Sequence, residues 1–203
     1  MSSFVGHSLT AGALFFCRRG VKKEISWKGG LWLVCLWGAA IAPDFDYFLF
    51  FLHKSQHGGI RVSNSLLYAM VIPAGVMGMM AICRASRKVF WVKSLQIVSA
   101  GFSHILLDYL VGVHPSPLFW PLSREVYTSP IGVLPSAGAL ELRNYSLYRN
   151  LIIELGVLVP LYLGIGFLMW RWPRKKVAIR GGLAVGLFGL TGVFAVLAAG
   201  LSR

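Results

Sequence analysis

Negative charge is what this sequence has least of. Seven Asp and Glu stand against twenty Lys and Arg in 203 residues, and charged residues make up only 13% of the chain. A soluble domain carries about a quarter charged residues, so a water-facing surface of ordinary composition is excluded. Cysteine is also scarce. Cys17, Cys35 and Cys83 share no pairing spacing, which excludes a disulfide framework and leaves them as apolar filler. No basic stretch precedes the apolar run that begins near residue 4. Arg18 and Arg19 follow it instead, the reverse of the order in a secretory signal peptide. Internal repeats and low-complexity segments are absent.

What the chain does have is apolar sequence, 56% of it, gathered into runs too long for a small soluble core to bury. The expectation is an all-α, polytopic membrane domain spanning residues 1–203. Six runs are candidate transmembrane helices: 4–17, 31–52, 66–83, 95–113, 151–170 and 182–201. The run 4–17 is short for a full span, and 31–52 is interrupted by Pro43, Asp44 and Asp46. The connection 114–150, rich in Pro, Ser and Gly, is expected to fold over one face.

The basic residues then orient the chain. Loops 18–30, 53–65, 84–94, 114–150 and 171–181 carry five, two, four, three and five Lys or Arg. This alternation of high and low counts places the N-terminus, 53–65 and 114–150 outside the cytoplasm of a bacterial inner membrane. The formal charge of +13 therefore reads as topology rather than as a nucleic-acid face, and no nucleic-acid partner is expected.

On that topology the ionisable residues collect at one depth. His7 lies near the outer end of the first run. Asp44 and Asp46 lie in the outer half of the second, and His53 and His57 in the loop after it. His104 and Asp108 lie in the middle and outer half of the fourth, His114 just beyond its end, and Glu154 in the first turn of the fifth. An ionised carboxylate inside a membrane helix costs roughly 2.5–3.5 kcal/mol or more unless partnered. A divalent cation would offset several such charges at once, and His with carboxylate ligands suits zinc or a similar metal. In Ser103-His104-Ile105-Leu106-Leu107-Asp108, the His and the Asp are four apart and share a helix face. They are ligands to a metal or partners in a His–Asp hydrogen bond between helices. Pro43 can break or kink its helix, so that Asp44 and Asp46 just past it can turn inward; the alternative is a helix end hydrated at the interface. Glu154 alone would as readily pair with Arg143 or Arg149.

These motifs resemble the YdjM-like bacterial membrane-bound metal-dependent hydrolases. The resemblance rests on His7, Pro43-Asp44-Phe45-Asp46, an outer-loop histidine, Ser103 to Asp108, and Phe119-Trp120-Pro121-Leu122-Ser123, over roughly residues 1–155. The order of ligands is also similar to that of the zinc-dependent phospholipase C and single-strand nuclease superfamily, a helical fold with up to three zinc ions. That similarity implies one metal on Asp44, His57, His104 and Asp108. It implies a second on His114 and Glu154, and a third on His7 with Asp108. Asn64 and Asn150 stand where histidines are expected, and the chain starts Met-Ser-Ser where those enzymes have a metal-binding tryptophan. The second and third metals are weakened accordingly.

The resulting expectation is a hydrolase of a phospholipid or lipid-linked phosphoester at the outer leaflet, using one to three zinc ions, or manganese. Asp44 or Asp46 would act as general base on the metal-activated water. Arg61, Arg143 or Arg149 would hold the phosphate. The alternative is a non-enzymatic membrane protein with a structural metal site or a His/Asp hydrogen-bond cluster. A proton or ion path is disfavoured, because the cytoplasmic halves of the six runs contain neither acid nor histidine.

Overall fold

Serine, proline and glycine set the element boundaries. The computed structural model describes residues 3–16, 27–47, 49, 57, 59–112, 115–135, 144–169 and 177–201. Helix α1 (Phe4–Phe16) starts where the Ser3 hydroxyl accepts the Gly6 N–H at 3.1 Å. Helix α2 (Trp27–Ile41) stops just before Pro43, which has no N–H to continue an α-helical ladder, and the chain tightens into a 3-10 helix over Ala42–Tyr47. A 3-10 turn (Val62–Asn64) leads to α3 (Leu66–Ala69), capped by the Ser65 hydroxyl, and to α4 (Val71–Ile82). Helix α5 (Arg87–Val111) ends at Gly112, whose φ of +68° is the left-handed cap that glycine tolerates. Helices α6 (Tyr145–Met169) and α7 (Val177–Ala199) follow. The described residues contain no strand, only an isolated bridge between Ser116 and Tyr127.

The all-helical expectation holds, but the expectation of six spans does not. Among the described residues, three helices, α5, α6 and α7, are long and apolar enough to cross a membrane. The run 4–17 yields a helix of 13 residues, about 20 Å at 1.5 Å per residue. The run 31–52 yields α2 of 15 residues, ended by the Pro43 break. The run 66–83 is divided at Met70. Hydropathy counts apolar residues regardless of whether the backbone through them stays α-helical. Conversely, α5 begins at Arg87, so three basic residues assigned to a loop (Arg87, Lys88 and Lys93) belong to its first turns.

Two apolar cores hold the bundle. One joins α1, α2 and α5 through Ala11, Trp32, Leu36, Ala39, Ala40, Ile97 and Ala100. Its alanines allow the backbones to approach closely, which is how helices gain contact where lipid competes equally for apolar surface. Gln96 stitches the same three helices: Trp32 Nε1 donates to its Oε1 at 3.1 Å, and its Nε2 donates to the Leu14 carbonyl at 2.6 Å. The other core joins α5 and α6 through Leu107, Val111, Leu134, Val157 and Leu158, with Phe194 of α7 packed against it. Gly101 places α5 hard against α3 and α4: a Cβ there would lie 2.5 Å from the Ala69 carbonyl oxygen. This contact brings the 62–66 segment to the C-terminal third of α5.

Candidate metal centre

Four buried side chains converge where α1, the 3-10 helix and α5 meet. His7 lies in the second turn of α1, Asp44 follows the break after α2, and His104 and Asp108 lie one turn apart on α5. Each is at most 5% exposed. The two imidazole rings stack with centroids 4.1 Å apart and planes 16° from parallel. His7 Nε2 lies 3.6 Å from Asp108 Oδ1 and 4.0 Å from Asp44 Oδ2. His104 Nε2 lies 3.7 Å from Asp108 Oδ2 and 3.8 Å from Asp44 Oδ1. One ligand atom from each of His7, Asp44 and His104 falls within 4.8 Å of the other two.

The proton on His104 can be placed. Its Nδ1 is 2.8 Å from the carbonyl oxygen of Ala40, which can only accept, so Nδ1 donates. In the neutral ring Nε2 is then an acceptor, and it faces two carboxylates, which are acceptors as well. His7 Nδ1 and Nε2, His104 Nε2 and Asp44 Oδ2 have no hydrogen-bond partner among the described residues. The 3.6–4.0 Å separations exceed the roughly 2.7–3.2 Å of a hydrogen bond. They are close to the spacing of neighbouring ligands around a tetrahedral zinc, roughly 3.3–3.6 Å when each ligand is about 2.0–2.2 Å from the ion. A carbonyl on the far nitrogen of a ligating histidine is also the usual outer support of a metal site. The donor set fits a divalent metal.

A second layer surrounds these four. Arg61 grips Asp46 with two bonds of 2.8 Å, from Nε and from one terminal nitrogen, and the same terminal nitrogen reaches Asp44 Oδ1 at 3.4 Å. The Ser63 hydroxyl donates to Asp46 at 2.9 Å. Asn64 Nδ2 donates to Asp108 Oδ2 at 3.0 Å and thereby orients that carboxylate. From α6, Glu154 accepts the Ser3 N–H at 3.0 and 3.3 Å, and the Tyr162 and Thr10 hydroxyls share a hydrogen bond. These two ties bracket His7 along α1.

Several expected roles change. Asp46, a candidate general base, is engaged by Arg61 and Ser63. Arg61, a candidate phosphate ligand, is committed to Asp46 and Asp44. Glu154 also holds the start of α1 through the Ser3 N–H. His57 is not among the converging residues; its ring lies edge-on to Trp120 with centroids 6.1 Å apart. Arg149 donates to Asn150 at 3.2 Å. His53, His114 and Arg143 lie outside the described residues. Ser63 and the Ser3–Glu154 tie were not anticipated. Their signal was a polar run, Arg61 to Ser65, directly before an apolar stretch, and a serine just before the first helix.

Neither the curated proteins nor the solved structures give a match to this chain. A family model described as YdjM inner membrane protein matches residues 1–197, nearly its full length. With three helices able to cross a bilayer and a His/Asp cluster packed against one of them, the chain belongs to the YdjM inner membrane protein family.

Proposed function

We propose that His7, Asp44, His104 and Asp108 hold a divalent metal, zinc being the best chemical match, and that the protein is a metal-dependent hydrolase. Its substrate class is a phospholipid or lipid-linked phosphoester. The observation that carries this reading is geometric: His104 gives Nδ1 to the Ala40 carbonyl and turns Nε2, which has no hydrogen-bond partner among the described residues, toward Asp44 and Asp108 at 3.8 and 3.7 Å. The charges agree with it. Arg61 and Asp46 cancel each other, and Asp44 with Asp108 brings two negative charges, the complement of a divalent cation.

A bound metal of this kind supplies water of near-neutral pKa and polarises a phosphoryl oxygen. The chain's own residues do the rest. Asp44 Oδ2 is placed to accept a proton from water. Arg61, fixed on Asp46, sets a positive charge beside Asp44 and toward an incoming anion. Asn64 holds Asp108 in its ligating rotamer. The positive-inside rule sets the C-terminal end of α5 and the N-terminal ends of α1 and α6 on the non-cytoplasmic side. Helices α5, α6 and α7 then cross in turn, and α1, α2 and α4 build the wall around the cluster from within the bilayer.

The test is elemental mass spectrometry on detergent-purified protein, wild type beside a His104→Ala/Asp108→Ala variant. About one metal per chain, lost in the variant, supports the site, and release of phosphate or headgroup from lipid phosphoesters supports the activity. A folded wild type that takes up no zinc or manganese rejects both. The complete burial of the ligands favours a second reading, a closed structural site. Asp44→Asn separates the two: a hydrolase keeps its melting temperature and loses turnover, whereas a structural site loses stability.

A further inference from the structure

We propose that the segment 116–131 is an interfacial anchor that lies in the lipid leaflet at the C-terminal end of α5 and presents Phe119, Leu122 and Ile131 to its phospholipids. From Ser94 to Val111, α5 rises about 27 Å at 1.5 Å per residue, close to the roughly 30 Å of a hydrocarbon core. Lys93 and the other basic residues lie at its opposite end. Val111 therefore sits at the edge of the hydrocarbon layer. The Leu110 carbonyl accepts the backbone N–H groups of Val133 and Leu134 at 2.9 and 3.2 Å, so the segment returns to the bundle at that depth. Its other end is tied at Leu118, whose carbonyl accepts the Leu66 N–H at 3.0 Å.

Between these ties the exposure is unlike that of a water-facing loop. Leu122 is 92% exposed and Ile131 62% exposed, and Phe119 and Val126 are also open. Trp120 and Tyr127 in the same stretch are the residues favoured at membrane–water boundaries. Part of the backbone is satisfied within the segment itself. Ser116 and Tyr127 exchange two bonds of 2.9 Å. The Trp120 N–H reaches the Pro117 carbonyl, the Ser123 N–H reaches that of Phe119, and the Glu125 N–H reaches the Ser123 hydroxyl. The Phe119 ring lies edge-on to Tyr127, centroids 5.6 Å apart, which fixes the tip. Arg124 beside it can extend its charge to lipid phosphate while its stem stays in the interface.

The test is nitroxide labelling of the full chain in phosphatidylcholine–phosphatidylglycerol vesicles, in a background with Cys17, Cys35 and Cys83 replaced by serine. Labels are placed at Leu122→Cys and, separately, at Ile131→Cys. Lipid-facing Val196→Cys and inter-helix Ser86→Cys serve as controls. The expected result is collision with oxygen exceeding collision with a water-soluble nickel chelate by roughly threefold or more at 122 and 131, as at 196 and unlike 86. Nickel accessibility at both sites equal to that at Ser86→Cys overturns the proposal. So does dipolar broadening between labels at 122, which assigns the patch to a second copy of the chain.

Discussion

Helices α5 and α7 have nearly the same length and opposite surroundings. The window of α5 apolar enough to cross a membrane is 61% buried by the rest of the protein, and that of α7 only 11%. Polar chemistry follows the difference. Helix α5 carries Gln96, His104 and Asp108, each bonded to or facing another helix. The hydroxyl of Thr191 in α7 turns back to its own backbone at Leu187. Where the solvent is lipid, a polar side chain is tolerated only among protein partners, so polarity marks the protein-facing side of a bundle as apolarity marks the core of a soluble one. Helix α7 packs on α6, with the Phe194 ring over Gly156, and gives the cluster no ligand.

That contrast can be broken most severely on α5. His104→Ala removes a proposed ligand and leaves the Ala40 carbonyl without its donor, and the expected outcome is loss of essentially all bound metal by elemental analysis. Retention of metal would remove His104 from the site. One layer outward, Asn64→Ala and Glu154→Gln should each weaken metal affinity about 10–100-fold, the usual effect of removing an outer-shell partner. Competition against a graded zinc chelator reads this out, and in a cobalt-substituted sample the visible bands should shift. Unchanged affinity in Glu154→Gln would show that α6 does not position His7.

Smaller effects sharpen the comparison. Gly101→Val drives a branched side chain into the Ala69 carbonyl and should destabilise by about 1–3 kcal/mol, measured as a lowered unfolding midpoint in detergent. The counterpart on α7 is Val196→Ala, which removes methyl groups that face outward and should change stability by less than about 0.5 kcal/mol. A large loss there would mean that α7 is covered by protein.

The sequence revealed the centre of the site better than its surroundings. His104 and Asp108 were legible because a four-residue spacing fixes a shared helix face whatever the rest of the chain does. Asp44 was legible because a proline beside an acid in an apolar run needs a reason. His7 was placed by its depth alone, yet it stacks on His104. Glu154 also holds a backbone amide 151 residues away, a tie that no local spacing encodes. As a general base, Asp46 looked equivalent to Asp44. Only the fold separates them, by bringing Arg61 and Ser63 to one and leaving the other facing the histidines. The count of spans failed because hydropathy does not see that α2 ceases to be an α-helix at Ile41.

The break at Pro43 has a consequence for two residues at once. It presents Asp44, and it ends α2 immediately beyond Ala40, whose carbonyl orients His104. One residue thus governs two others that chemistry requires together. A change at Pro43 should therefore disturb Asp44 and His104 together, although Pro43 supplies neither of their side-chain contacts.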